Sequence, residues 1–161
     1  MRPTYLALAV IAAAACAAVA SGQKATVDYP TGYRAWQHMK TMLILPGHSL
    51  EGPFGGIHHV YANPKALAGL KDGAYEYGAF FVLDLLGYEE ADHVIVETNR
   101  KRVDVMQYGR ERFAATGSWG FETFAGDSTT ERVLTDGGAA CFSCHESLAE
   151  GSNYVISKYR P

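Results

Sequence analysis

The strongest constraint on this chain lies near its C-terminal end, in Cys141-Phe142-Ser143-Cys144-His145. C-x-x-C-H is the attachment pattern of a c-type haem. Two thiols three positions apart can add to the two vinyl groups of one porphyrin, and the adjacent histidine then lies under the iron as a nitrogen ligand. The competing reading is a redox-active or metal-binding C-x-x-C pair with His145 beside it by chance. A zinc site would need two further ligands, usually a second Cys or His pair, and Cys16 is the only other cysteine. A thioredoxin-like pair sits early in its domain, at the start of a helix, whereas this one is close to the end. The motif therefore predicts one haem c, attached through Cys141 and Cys144, with His145 as the metal ligand.

The N-terminus predicts where such chemistry takes place. Arg2 precedes an Ala-rich apolar run, Leu6 to Ala20, and Ala18-Val19-Ala20 is an A-x-A cleavage pattern ahead of Ser21-Gly22. The run is short of the roughly 20 apolar residues of a spanning helix. An uncleaved anchor and lipid attachment at Cys16 are the alternatives. The expectation is a signal peptide over 1–20, one mature domain over 21–161, and a periplasmic location. Cleavage removes Cys16, so no structural disulfide is expected. Formal net charge is −3, and near −4 once Arg2 is lost. Mild acidity without a basic tract argues against nucleic acid as a partner.

Periodicity predicts mixed structure. Tyr33 to Leu45 reads as a helix, with Tyr33, Trp36, Met39 or Lys40, and Leu43 at helical spacing before Pro46-Gly47. Ile57 to Ala62 reads as a strand, and Asn63-Pro64 as a cap opening a helix through Leu70. Gly78 to Leu86 is dense enough to be a central strand buried on both faces. His93 to Thr98 and Arg102 to Gln107 read as two strands joined by a polar turn at Asn99-Arg100-Lys101. A short helix is expected over Tyr108 to Ala115, and a strand over Trp119 to Ala125. The fold class expected is α+β, an antiparallel sheet-dominated domain with flanking helices and a C-terminal haem motif.

Several segments carry a more specific signal. They are Tyr33-Arg34-x-Trp36, the run Phe54-Gly55-Gly56-Ile57-His58-His59-Val60-Tyr61, Asn63-Pro64, Gly78 with its apolar strand, Gly117-Ser118-Trp119-Gly120-Phe121, and the haem motif followed by Tyr154-Val155-Ile156-Ser157-Lys158-Tyr159. In this order the chain resembles the cytochrome P460 family, which includes the cytochromes c′-β. The resemblance covers nearly all of the mature chain. It implies a homodimer with one haem per subunit, His145 as proximal ligand, and a distal side open to small molecules. Cytochromes P460 oxidise hydroxylamine and nitric oxide and carry a lysine linked to the porphyrin edge, in a strand of the form Gly-x-x-x-x-Lys-Glu. The matching run here is Gly78 to Asp84, and Leu83 stands where that lysine would be. Leucine has no nucleophilic nitrogen, and Lys65 and Lys71 lie outside the strand. The resemblance therefore leans to the c′-β type, which binds nitric oxide, and carbon monoxide less well, behind an aromatic cap.

If Leu83 faces the haem, alternation turns Phe81 and Ala79 the same way. Phe81 is then one candidate cap and Phe54, on a glycine-flanked loop, the other; in both cases ordinary core packing is the plainer alternative. An apolar cap offers bound oxygen no hydrogen bond, whereas nitric oxide binds ferrous haem without one. His58 and His59 face opposite sides of a strand. One could reach the haem pocket or a propionate, against the plainer expectation of one exposed and one core histidine. His38 and His48 read as surface or loop residues. Met39, Met42 and Met106 are candidate sixth ligands for an electron carrier. Asp84 or Asp104 would be a proton acceptor in redox catalysis, or else a solvent-facing strand residue, and Arg100, Lys101 and Arg102 a solvated hairpin tip. The functional expectation is an exported haem protein with five-coordinate iron that binds small gases, chiefly nitric oxide. A P460-type oxidoreductase acting on a small nitrogen substrate and a periplasmic electron carrier with a redox partner protein are the alternatives.

Overall fold

The computed structural model describes residues 26–160. The proposed signal peptide, its cleavage site and Cys16 lie outside them. Five strands form one antiparallel sheet in sequence order: β1 (Gln37–Ile44), β2 (Gly56–Ala62), β3 (Phe80–Ala91), β4 (Val94–Tyr108) and β5 (Trp119–Ala125). A helical turn α1 (Glu51–Phe54), a helix α2 (Pro64–Asp72) and a helix α3 (Ala139–Ala149) are placed around it. The domain is α+β with the sheet dominant, as expected.

The start of α2 shows how local chemistry ties elements together. Asn63 caps it, its side-chain oxygen accepting from the Ala66 amide at 2.9 Å, and Pro64 takes the first helical position, where its missing N–H costs nothing. The same oxygen accepts from the Phe80 amide at 3.0 Å and the Asn63 amide nitrogen donates to the Gly78 carbonyl at 2.8 Å. One side chain thus ends β2, starts α2 and anchors β3.

Three expectations are corrected. The segment read as a first helix is a short 3-10 turn, Tyr33–Ala35, followed by the edge strand β1. An irregularity in pairing, where His38 opposes Tyr61 but Lys40 opposes Val60, inserts one residue and breaks the period of two. The result imitates helical spacing. The second correction is the hairpin. β4 runs unbroken from Val94 through the polar 99–101 stretch, and the turn lies at Asp92-His93, both in the left-handed region at φ 51° and 62°. Two such residues form the tight turn that matches strand twist. Arg100, Lys101 and Arg102 are therefore mid-strand residues: Arg100 pairs with Asp84, Lys101 donates to the Gly55 carbonyl at 2.7 Å, and Arg102 pairs with Asp104 at 2.9 Å. Third, of the helix expected over Tyr108 to Ala115 only a 3-10 turn at Ala114–Thr116 forms.

Pairing register sorts the sheet into two faces. On one, Ala62, Phe81, Met106 and Phe121 lie in one row across the strands, and Val60, Leu83, Asp104 and Thr123 in the next. The first row belongs to a core cluster with Ala66, Ala79, Trp119 and Val155, against which Cys141, Phe142 and Tyr154 pack. The opposite face buries Val82, Val103, Val105 and Phe124 against Val27, Tyr33 and Phe113. β3 is buried on both faces over most of its inner part, as its apolar run predicts.

That second face also holds Asp84, fully buried. Its carboxylate accepts from Arg100 Nε at 2.7 Å and Nη2 at 3.3 Å, and pairs with Arg34 Nε at 3.1 Å. The carboxylate raises the pKa of the Arg100 guanidinium. The Tyr33 phenol is pushed up by burial first and by Asp84 second, although its hydroxyl closes no hydrogen bond. Asp84 is neither solvent-facing nor on the side of Leu83. It is a structural anion that joins β3, β4 and the first turn.

Candidate haem site

α3 is set against β5 by a glycine and an aspartate. Gly138, immediately before the helix, has φ 87°, and a Cβ there would lie 2.7 Å from the Phe121 Cβ. Only glycine allows both the left-handed backbone and this approach. The Asp136 carboxylate accepts from the Gly138 and Ala140 amides, each at 2.8 Å, and so caps the helix.

Within α3, Cys141, Cys144 and His145 occupy positions i, i+3 and i+4, which share one helix face. Both thiols are free. Burial pushes the Cys141 thiol up to about 11, with Asp104 and Asp136 adding to the effect. A redox-active C-x-x-C needs the reverse, a depressed thiol pKa. Among the described residues no cluster of three or more His, Cys, Asp or Glu side chains could hold a metal ion. The donor set does fit a haem. His145 Nδ1 lies 2.7 Å from the Tyr154 carbonyl, so Nδ1 donates and Nε2 keeps its lone pair. Burial lowers the His145 pKa and favours the neutral imidazole. A histidine that binds iron characteristically spends its other nitrogen in this way.

The carbonyl is aimed by an unusual turn. Asn153 and Tyr154 both have positive φ, 52° and 64°. Asn153 is held by its carbonyl accepting from Trp119 Nε1 at 2.9 Å and by its side chain donating to the Gly73 carbonyl at 3.0 Å. The Tyr154 ring meets Phe142 at 5.1 Å between centroids, and Phe121 meets the His145 ring at 5.0 Å. A cytochrome P460 family model matches residues 30–157, most of the chain.

The chain belongs to the cytochrome P460 family. A search of curated proteins finds no match. Membership makes this a haem-binding cytochrome, and the geometry of α3 shows which side chains of this cytochrome P460 relative could hold the haem.

Several of the other candidates fall on the α3 face of the sheet. Phe81 and Leu83 point to the α3 side, as alternation predicts, with Phe81 packed against Trp119 and Tyr75 at ring distances of 5.9 and 6.1 Å. Phe54 ends α1, its ring 6.1 Å from that of His58 and 4.7 Å from the Arg102 guanidinium. Met106 is buried in the core cluster, Met39 packs against it, and Met42 is partly exposed on β1. His58 is buried and hydrogen-bonded; His59, on the other face, is tied to Thr41 at 2.8 Å and Glu97 at 3.2 Å. Lys65 donates to the Tyr77 carbonyl and Lys71 lies over the Tyr159 ring.

This face is more polar than a phenyl-lined pocket. Lys40 extends the row of Leu83, in register with Val60. Asp104, opposite Leu83, is held by Arg102 and by the Thr123 hydroxyl at 2.6 Å. Burial first, and Arg160 second, lowers the Lys40 pKa. Sequence reasoning missed Phe121, the Tyr154 carbonyl, Lys40 and Arg102 as parts of this face. The first needed the docking of α3, the second is backbone and carries no residue signature, and the last two were hidden by the misread helix and hairpin.

Proposed function

We propose that this is an exported mono-haem c-type cytochrome of the c′-β kind, binding small gases and chiefly nitric oxide. Haem c is attached through Cys141 and Cys144, His145 is the proximal ligand, and the other side of the iron is open. Leu83 is the observation that carries the choice: the aligned strand offers no amine where a P460-type cross-link forms, and Leu83 lies on the α3 side of the sheet. When bound, the haem supplies the iron that takes up the gas. The chain supplies a fixed, neutral imidazole through Tyr154, and an aromatic wall from Phe121, Phe81 and Phe54. Export to the periplasm and a homodimeric assembly complete the reading.

Asp104 favours one second reading, an oxidoreductase acting on hydroxylamine or nitric oxide. It is a carboxylate on the same face, oriented by Arg102 and Thr123, and Lys40 offers an amine two strands from Leu83. The visible spectrum of the reduced protein tests both. A five-coordinate high-spin spectrum that changes on adding nitric oxide or carbon monoxide is expected. A six-coordinate reduced spectrum defeats the gas-binding reading, and a strongly red-shifted Soret band reveals a cross-link and transfers the protein to the second.

A further inference from the structure

We propose that Trp119, Tyr75 and Tyr108 form a relay that carries single oxidising equivalents from the haem to a surface pocket, where a small anionic reductant of the ene-diolate class is consumed. This peroxide-dependent activity goes beyond gas binding. It rests on the reading of a haem attached at α3 and ligated by His145. Trp119 is fully buried, and its Nε1 donates to the Asn153 carbonyl at 2.9 Å. His145 Nδ1 donates to the next carbonyl, that of Tyr154, at 2.7 Å. The proximal imidazole and the indole are thus fixed on consecutive carbonyls of one turn. From Trp119 the aromatic contacts run outward. Its ring centroid is 4.9 Å from that of Tyr75 and 5.1 Å from that of Tyr108, and the two tyrosines are 6.0 Å apart. Gly69 of α2 makes room for the Tyr75 ring, which a Cβ there would overlap. Both tyrosines are half-buried, and with Gly73, Ala74, Arg110 and Asn153 they line a pocket of about 170 Å³.

An electron needs no opening, so a sealed indole is no barrier, whereas the molecule that supplies the electron must reach the far end of the chain. The pocket provides that access. It has room for a single small ring, and the exposed Arg110 at its rim favours an anion. Reduction of hydrogen peroxide to two waters takes two electrons and two protons. Trp119 supplies each electron in turn and keeps its Nε1 proton, because a carbonyl accepts a hydrogen bond but takes no proton. A tyrosine then refills the indole cation. Burial pushes the Tyr75 phenol up to about 12, so it is protonated at neutral pH and gives its proton to water in the pocket as the electron leaves. The reductant returns a hydrogen atom to the tyrosyl oxygen and departs as its own radical. One peroxide and two reductant molecules thus give two waters and two reductant radicals.

The test uses the haem-loaded protein, with hydrogen peroxide as the oxidant and ascorbate as the ene-diolate probe. Electron paramagnetic resonance of samples frozen soon after peroxide addition should show a tyrosyl radical, which ascorbate quenches. The double variant Tyr75→Phe/Tyr108→Phe keeps both rings. It should lose that signal and most of the peroxide-driven ascorbate oxidation, with nitric oxide binding unchanged. Its haem should also bleach faster under peroxide alone, because the oxidising equivalents no longer leave. Trp119→Phe should show the same losses, but it also frees the Asn153 carbonyl, so the double variant decides should this one fail to fold. A wild type without a tyrosyl radical overturns the relay, as does a signal or an ascorbate rate that survives in the double variant. Failure of the wild type to bind nitric oxide defeats only the gas-binding reading, because the peroxide experiment still decides the relay.

Discussion

Asp84 and His58 stand on neighbouring strands, both almost wholly buried, and face opposite sides of one sheet. Asp84 meets two arginines and accepts three short contacts. A buried carboxylate is tolerated only on such terms, and nothing of it is left over for a ligand. His58 makes one hydrogen bond and leaves Nδ1 bare, and His145 on the same side likewise leaves Nε2 unspent. On the Asp84 face that carboxylate is fully paired although the Tyr33 hydroxyl closes no hydrogen bond, and on the opposite face the imidazoles of His58 and His145 each keep one nitrogen unspent. Pairing register likewise separates two charged positions, Asp84 and Asp104, that look equivalent along the strands.

The contrast can be broken from either side. His145→Ala should have the largest effect: haem stays attached through the cysteines, but the iron–histidine stretch in the resonance Raman spectrum of the reduced protein disappears. Asp84→Leu comes next. It leaves Arg100, only 15% exposed, with Asp127 at its other end as the remaining carboxylate, and should cost about 3 kcal/mol, read as a lower denaturant midpoint with an unchanged haem spectrum in the folded protein. Gly138→Ala should cost about 1–2 kcal/mol from the left-handed backbone alone. It also pushes α3 off Phe121, so the iron–histidine band should shift, which an effect confined to the Asp84 face would not produce.

The smallest effect concerns acid. Burial lowers the His58 pKa below its ordinary 6.5, so the unfolded chain takes up that proton first as pH falls. The stabilisation is complete above about pH 6.5 and is lost as pH falls towards the lowered folded value. Thermal melting of His58→Leu should therefore fall less steeply below about pH 6.5 than that of the wild type. An unchanged acid limb would show that His58 carries no such burden.

Much of the fold was legible where local chemistry acts alone. Asn63-Pro64 signals a helix start because the cap is built from adjacent residues, and the alternating Trp119 to Ala125 run reads as a strand without help. The errors fell where distant partners decide. The bulge after His38 disguised an edge strand as a helix. The polar 99–101 run resembled a turn because its partners, Asp84 and Gly55, lie 16 and 46 residues away. Asp92-His93, the actual turn, has no glycine to announce it.

The sequence alone was enough to propose the haem chemistry of Cys141, Cys144 and His145, because covalent attachment and ligation depend on residues within five positions of one another. The motif's position in the chain pointed to the family, and Leu83 is what supports the proposed gas-binding role. Tertiary structure alone decided which nitrogen of His145 is free, since the Tyr154 carbonyl reaches it only after the chain turns back through Asn153. It also decided that Asp84 belongs to the scaffold while His58 and Asp104 lie on the face of the sheet against which α3 packs. Alternation tells which residues share a face, but only packing shows which buried groups still lack a partner.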